Sequence, residues 1–267
     1  MEPAVWLAEL DLTAPETWPR MGTRSLKDQP WLLVDSSAAQ ELALRTELLA
    51  NRRDDVLVEP ASAAPATMEL ESMVRATGVA IGDGLSPLER LGRSVQEDFC
   101  LLERGEQEWE LKAAVLCFPS RWRLAAKIGR PLTQVHGPTP RYPELLAHRV
   151  TTACDRLEDR TILRRNWFVH PDRALFQPNR PAGGDRVIPA ERCGDELWVR
   201  SERQTLRRLP DSGWVVFTIR VQQCRFRELM QRRGPEFREW LERSTEELRS
   251  HVGIRPEQVS EIQAWSG

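Results

Sequence analysis

The sequence predicts an α+β protein: a five-stranded antiparallel sheet with its helices over one face, extended by helices at both ends. Three observations carry this. Strand-like runs at 97–103 and 109–117 are joined by the turn Arg104-Gly105-Glu106-Gln107. Three further strand-like runs, at 162–169, 196–208 and 214–223, follow a stretch of short helical segments. Apolar residues at helical spacing flank the strands at 36–51 and 236–250. A chain of 267 residues with 40% hydrophobic and 29% charged residues can bury one large core around such a sheet.

In chain order, residues 1–35 are rich in Pro and Trp and read as an irregular arm laid on the body. Leu42, Leu44, Leu48 and Leu49 give 36–51 its helical stripe; a linker at Pro60–Pro65 precedes a second helix at 67–77. Ser86-Pro87-Leu88-Glu89 starts a short helix, with Ser as cap, Pro in the first turn and Glu placed to close a capping box. After the first two strands come helical pieces at 120–128 and 143–158. The last two strands form a hairpin across Leu209-Pro210-Asp211-Ser212-Gly213. Gly234-Pro235 then separates helices at 225–233 and 236–250, the latter striped by Phe237, Trp240, Leu241 and Leu248. The chain divides into an N-terminal arm with helices (1–90), a core (91–225) and C-terminal helices (226–267), forming one structural unit. This strand order is that of a PAS-type ligand-binding domain, which encloses a pocket between sheet and helices.

Composition narrows the function. A net charge of −2 supplies no general basic surface for nucleic acid or acidic lipid. No run approaches the roughly 18 uninterrupted apolar residues of a membrane span, and the N-terminus lacks the features of a signal peptide, so a cytoplasmic location is expected. Cys100, Cys117, Cys154, Cys193 and Cys224 contain no C-x-x-C pair and give neither a zinc or iron–sulfur spacing nor a disulfide framework. There is no G-x-G-x-x-G, P-loop, G-x-S-x-G or H-E-x-x-H. The ten Trp suit cores and cofactor walls alike.

Two places remain for chemistry. Of the four histidines, His251 reads as a helix-end residue, His148 as mid-helix, and His170 as a strand end without a partner nearby in sequence. His136 stands in Leu132-Thr133-Gln134-Val135-His136-Gly137-Pro138-Thr139-Pro140, where prolines stiffen the backbone and Gly137 permits close approach of a bulky group. Spacing alone leaves it either a hydrogen-bonded turn residue or a ligand. The hairpin is the second place. The strand at 214–222 alternates cleanly, but Arg200–Arg208 has no clean apolar face, and a one-residue shift of register decides whether Arg203 or Gln204 points inward. A solvated face with salt bridges and a polar site lining are both compatible with it.

Taken together, Gln96-Glu97-Asp98-Phe99-Cys100, Phe118-Pro119-Ser120-Arg121-Trp122, Val135-His136-Gly137-Pro138-Thr139-Pro140, Arg165-Asn166-Trp167 and Glu202-Arg203-Gln204-Thr205-Leu206 through Phe217-Thr218-Ile219-Arg220 resemble the family of haem-dependent oxidative N-demethylase α-subunit-like proteins. The resemblance covers about 30–250. It implies a PAS-type domain carrying haem b and a monooxygenase-type demethylation of a small secondary amine. Electrons would come from NADPH through partner subunits carrying flavin (FMN) and an iron–sulfur cluster, since this chain has a motif for neither. It implies His136 as axial iron ligand, Arg203 and Arg220 as partners of the haem propionates, and Trp167 and Phe217 as pocket walls. Gln204 and Arg220 would be the hairpin groups that orient the amine and polarise bound oxygen. Thr139 stands where the family pattern has Val between the prolines. A haem-based gas sensor without turnover and a haem-free scaffold are the rival expectations.

Overall fold

A computed structural model describes residues 4–13, 18–137 and 139–266; residues 1–3 and Pro138, which enter the motifs above, lie outside the described residues. Its centre is one antiparallel sheet of seven strands rather than the expected five. The strands are β1 (Arg24–Ser25), β2 (Leu57–Val58), β3 (Asp98–Arg104), β4 (Trp109–Val115), β5 (Ile162–His170), β6 (Trp198–Arg208) and β7 (Val215–Arg225), in the order β1-β5-β6-β7-β3-β4-β2. The five long strands are those expected from the sequence. The two additions are dipeptides, too short for any periodicity, and they pair with backbone that β5 and β4 leave open at the sheet edges: Arg24 with Leu163, and Leu57 with Val115.

The helices are α1 (Ala38–Asn51), α2 (Arg53–Val56), α3 (Ala64–Ala76), α4 (Pro87–Ser94), α5 (Leu132–Val135), α6 (His148–Asp155), α7 (Cys193–Glu196), α8 (Phe226–Arg243), α9 (Glu246–His251) and α10 (Pro256–Ala264). At α4, Pro87 takes the first turn, but Ser86 does not close the capping box. Its hydroxyl is drawn to Glu59, whose carboxylate accepts from Leu88 N at 3.1 Å and so caps the helix from outside, while Glu89 accepts from Leu85 N at 3.2 Å. The expected helix at 120–128 is a bridge from Ser120 to Gln177 followed by a single 3-10 turn, Leu124–Ala126. The expected break before Pro235 is present: Arg233 leaves helical geometry, so α8 is two helical segments meeting at a kink, the second of which ends at Arg243 rather than 250.

Helices cover both faces of the sheet, which corrects the expectation of one helical layer. On one face, α1, α3 and α4 bring Leu49, Leu70, Leu88 and Leu91 into a core with Phe99, Leu101 and Val115. Gly92 lets α4 approach closely, since a Cβ there would meet Val115 Cγ2 at 2.6 Å. Towards β5 and β6 a second cluster joins Phe226, Phe237 and Trp240 to Trp167, Val199 and Cys224, with Trp6 and Leu7 of the N-terminal turn Val5–Glu9 added. Thus the terminal extensions pack behind the sheet, while the short α5 and α6 lie in front.

Behind the sheet a buried polar network ties α1 and the preceding chain to β3, β6 and β7. Arg45 donates to Gly92 O (2.7 Å), Glu97 O (2.7 Å) and Asp98 Oδ1 (2.8 Å). Arg220 pairs with Glu41 (2.8 Å) and Asp35 (2.7 Å). Arg203 donates to Trp31 O and Pro30 O, and Trp31 Nε1 donates to Thr205. Such a network stabilises only while complete, because removing one partner strands a buried charge at a cost of about 3–5 kcal/mol.

Candidate functional site

The space in front of the sheet is a cavity of about 630 Å³. Its floor is built by alternate residues of neighbouring strands, including Cys100 and Leu102 of β3, Gln204 and Leu206 of β6, and Phe217 and Ile219 of β7. Leu132, Val135, His136, Tyr142, Leu146 and Val150 form the roof. The mouth is bounded by Trp18 to Arg24 of the N-terminal arm and by His251 and Val252. The volume is in the range of small-molecule and cofactor sites, and the lining is mostly apolar with a few convergent polar groups.

His136 sits at the end of the one-turn helix α5 with its Nδ1 3.0 Å from Leu132 O. A carbonyl oxygen only accepts, so Nδ1 carries the proton and Nε2 keeps its lone pair. The ring stacks on Tyr142 at 4.4 Å between centroids, 6° from parallel. Burial pushes its pKa down to about 4, so the imidazole is neutral at physiological pH. The hydroxyl of Tyr142 is buried and has no hydrogen-bond partner among the described residues.

Cations and carboxylates also face the cavity, with Glu9 and Asp11 of the N-terminal arm and Glu202 of β6 among its lining. Arg164 donates to Asn166 Oδ1 and, among the described residues, forms no ion pair; burial lowers its pKa. Lys127 lies 4.8 Å from the Trp122 ring centroid, and burial lowers its pKa as well. Glu202 is buried and accepts from Ser120 Oγ and from Gln204 Nε2 (2.7 Å); Arg200 Nε in turn donates to Ser120 Oγ (2.8 Å). The thiols of Cys100 and Cys154 also line the space, but burial raises their pKa values, that of Cys154 to about 12, so neither is a ready thiolate.

The residues singled out in the sequence separate by face. Cross-strand pairing sets Gln204 opposite Ile219 and Arg203 opposite Arg220. Gln204, Phe217 and His136 line the cavity. Arg203 and Arg220 are behind the sheet in the network described above, so the structure does not bring them to the cavity. Trp167 reaches the cavity's edge, where its Nε1 donates to Asp11 O and its ring meets Trp240 edge-on at 4.7 Å. His148 is exposed. His170 is buried outside the cavity lining, with neither ring nitrogen partnered among the described residues. His251 does end α9, but its ring turns inward to Trp18 (4.7 Å) and Phe168 (6.2 Å) at the cavity mouth.

Sequence reasoning missed Arg164, Lys127, Glu202 and Tyr142. Arg164 had a readable signal: in β5, Arg164, Asn166 and Phe168 alternate with Leu163, Arg165 and Trp167, so one strand carries an arginine on each face. Among the described residues no group of three or more His, Cys, Asp or Glu gathers as a metal site, and no helix is long and apolar enough to cross a membrane. The family model for haem-dependent oxidative N-demethylase, alpha subunit-like proteins matches residues 77–255, a span holding the whole long-strand sheet, His136 and the polar lining. The chain belongs to that family.

Proposed function

We propose that the cavity holds haem b with His136 Nε2 as the axial ligand, and that the chain is the oxygen-activating subunit of an oxidative N-demethylase acting on a small secondary amine. The observation that carries this is a neutral imidazole, fixed through Nδ1 by Leu132 O, at the wall of an apolar cavity of about 630 Å³. A backbone carbonyl on the far nitrogen is the usual way to orient a metal-bound histidine and raise its basicity. One axial side chain suffices for haem iron, so no cluster of ligands is required. The order of the five long strands supports the PAS-type reading of residues 91–225, with the flanking segments packed on that core.

In this reading Arg164 and Lys127 take the role that the sequence offered to Arg203 and Arg220. They are cations at the cavity that form no ion pair among the described residues, suited to the two propionates. Phe217 and Trp167 serve as walls. Bound haem would supply oxygen activation, so that an N-methyl group leaves as formaldehyde while the second oxygen atom becomes water, with an electron pair and two protons delivered to the site. The chain's own residues bind and orient the amine. Glu202 accepts from its ammonium form, Gln204 and Ser120 hold that carboxylate in place, and the arm at Trp18–Arg24 limits access of water. The electrons come from a partner subunit carrying flavin and iron–sulfur centres reduced by NADPH. The alpha-subunit-like family description implies a multi-subunit assembly. All five cysteines are free, which suits the reducing cytoplasm.

The test is the visible spectrum of the protein expressed with haem precursor, oxidised and reduced, beside His136→Ala. An intense Soret band that moves on reduction, and is lost or shifted in the variant, is expected. A wild-type protein that stays colourless after haem titration overturns the reading and leaves a haem-free scaffold. A coloured protein that binds oxygen reversibly yet yields no formaldehyde from any amine with reductant would make it a gas-binding protein instead.

A further inference from the structure

A second concavity, of about 500 Å³, lies on the outer side of α6, lined by Met21, Thr23, Thr152 and the side chains of His148, Arg149, Arg156 and Arg160, with no carboxylate in its lining. Arg149, Arg156 and Arg160 are exposed and, among the described residues, form no ion pair. The nearest acidic residue of the helix, Asp155, is turned away to Arg104 and Trp109 Nε1. Glu158 and Asp159 are exposed beyond the helix end, outside the lining. A chain of net charge −2 thus concentrates positive charge on one short face.

That face is one helix away from the cavity. Val150 and Cys154 of α6 look into the cavity, whereas Arg149, Thr152 and Arg156 look out into the groove, and Met21 and Thr23 line both. An α-helix is about 10 Å across, so a redox centre seated here would stand within electron-transfer reach of a cofactor in the cavity. From Arg149 to Arg156 the charges spread over about 10 Å of helix, too wide for one phosphate but suited to a protein surface. None of them is buried or held in a rigid cradle.

We infer that the α6 groove is the docking face for the acidic surface of the electron-donating partner protein, with Arg149, Arg156 and Arg160 as its charge contacts. This rests on the haem reading and adds where electrons enter. Rim charges of this kind chiefly set the rate and salt dependence of encounter.

The test uses the haem-loaded full chain and, as probe, a reduced flavodoxin-type protein of net negative charge, with haem reduction followed at the Soret band in stopped flow. Wild type should slow about tenfold or more between low and high salt. The variant R149E/R156E/R160E should be about tenfold slower at low salt and lose its salt dependence, and R149Q/R156Q/R160Q should fall between. Reduction of all three by dithionite, and their spectra, should stay alike, which reports intact folding and haem. Equal flavodoxin rates for wild type and variants overturn the inference and leave the haem reading standing. So does competition by micromolar inorganic phosphate, which would mark a small-anion site. A colourless wild type removes the haem reading, and this inference with it.

Discussion

The two faces of the sheet set similar residue types to opposite ends. Behind the sheet, Arg220, Arg203, Thr205 and Thr218 are almost fully paired: Arg220 with Glu41 and Asp35, Arg203 with two carbonyls, and the two threonines with each other at 2.6 Å. In front, among the described residues, Arg164 has a single amide partner, Tyr142 has none for its hydroxyl, and His136 keeps one nitrogen uncommitted. Buried polar groups that are satisfied specify a fold, and those left open cost stability until a ligand meets them. An arginine in a strand is therefore no guide to a site until its partners are known.

Breaking the rear face should have the largest effect. Arg45→Met leaves Asp98 buried without its counter-ion, held only by Cys117 N and Phe118 N, and should cost about 3–5 kcal/mol of stability, read as a lower urea midpoint. Haem bound per folded molecule should not change. If the midpoint is unmoved, the rear network is not the structural half of the contrast.

A pH profile sharpens the same face. Burial lifts the pKa of Glu97 from 4.5 to about 7, although Leu33 N donates to it at 2.7 Å. Its folded-state pKa is above its unfolded value, so the folded protein prefers it protonated. The full stability is present below about 4.5 and declines as pH rises towards 7 and above, by about 3 kcal/mol from this group. Glu97→Gln should flatten that decline and make the variant the more stable protein at pH 8 in chemical denaturation. A profile unchanged by the substitution would show that the carboxylate is not held neutral.

The front face should respond in the opposite sense and less. Arg164→Met removes a buried cation that forms no ion pair among the described residues, so stability should hold or rise, while haem affinity falls about tenfold, or ~1.4 kcal/mol. Haem titration beside thermal melting checks both. Glu202→Gln should raise the KM for the amine about tenfold with the haem spectrum unchanged, since one charged hydrogen bond to the substrate is lost. An unchanged KM would place the amine elsewhere in the cavity.

The sequence made the front half of this contrast only partly readable. The five long strands were legible because their alternation reflects burial, and α1 and α8 because their apolar stripes do. The dipeptide strands Arg24–Ser25 and Leu57–Val58 carry no pattern and exist only through their neighbours. The choice between Arg203 and Gln204 depended on pairing between β6 and β7, which a strand with polar residues on both sides does not encode in its own order. Tyr142 and Lys127 belong to segments whose placement is fixed by tertiary packing alone. His251 was misleading, because its position at the end of α9 explains the residue without reference to the cavity it faces.

The mouth of the cavity is stitched from distant parts of the chain: the Trp18 ring meets that of His251 at a tilt, 4.7 Å between centroids, and Arg141 donates both to Trp18 O and to Glu247 at 3.3 Å. During synthesis the early arm must therefore wait for some 230 later residues before the enclosure has its last wall. A product truncated ahead of α9 would have the floor and roof of the cavity but not this last wall.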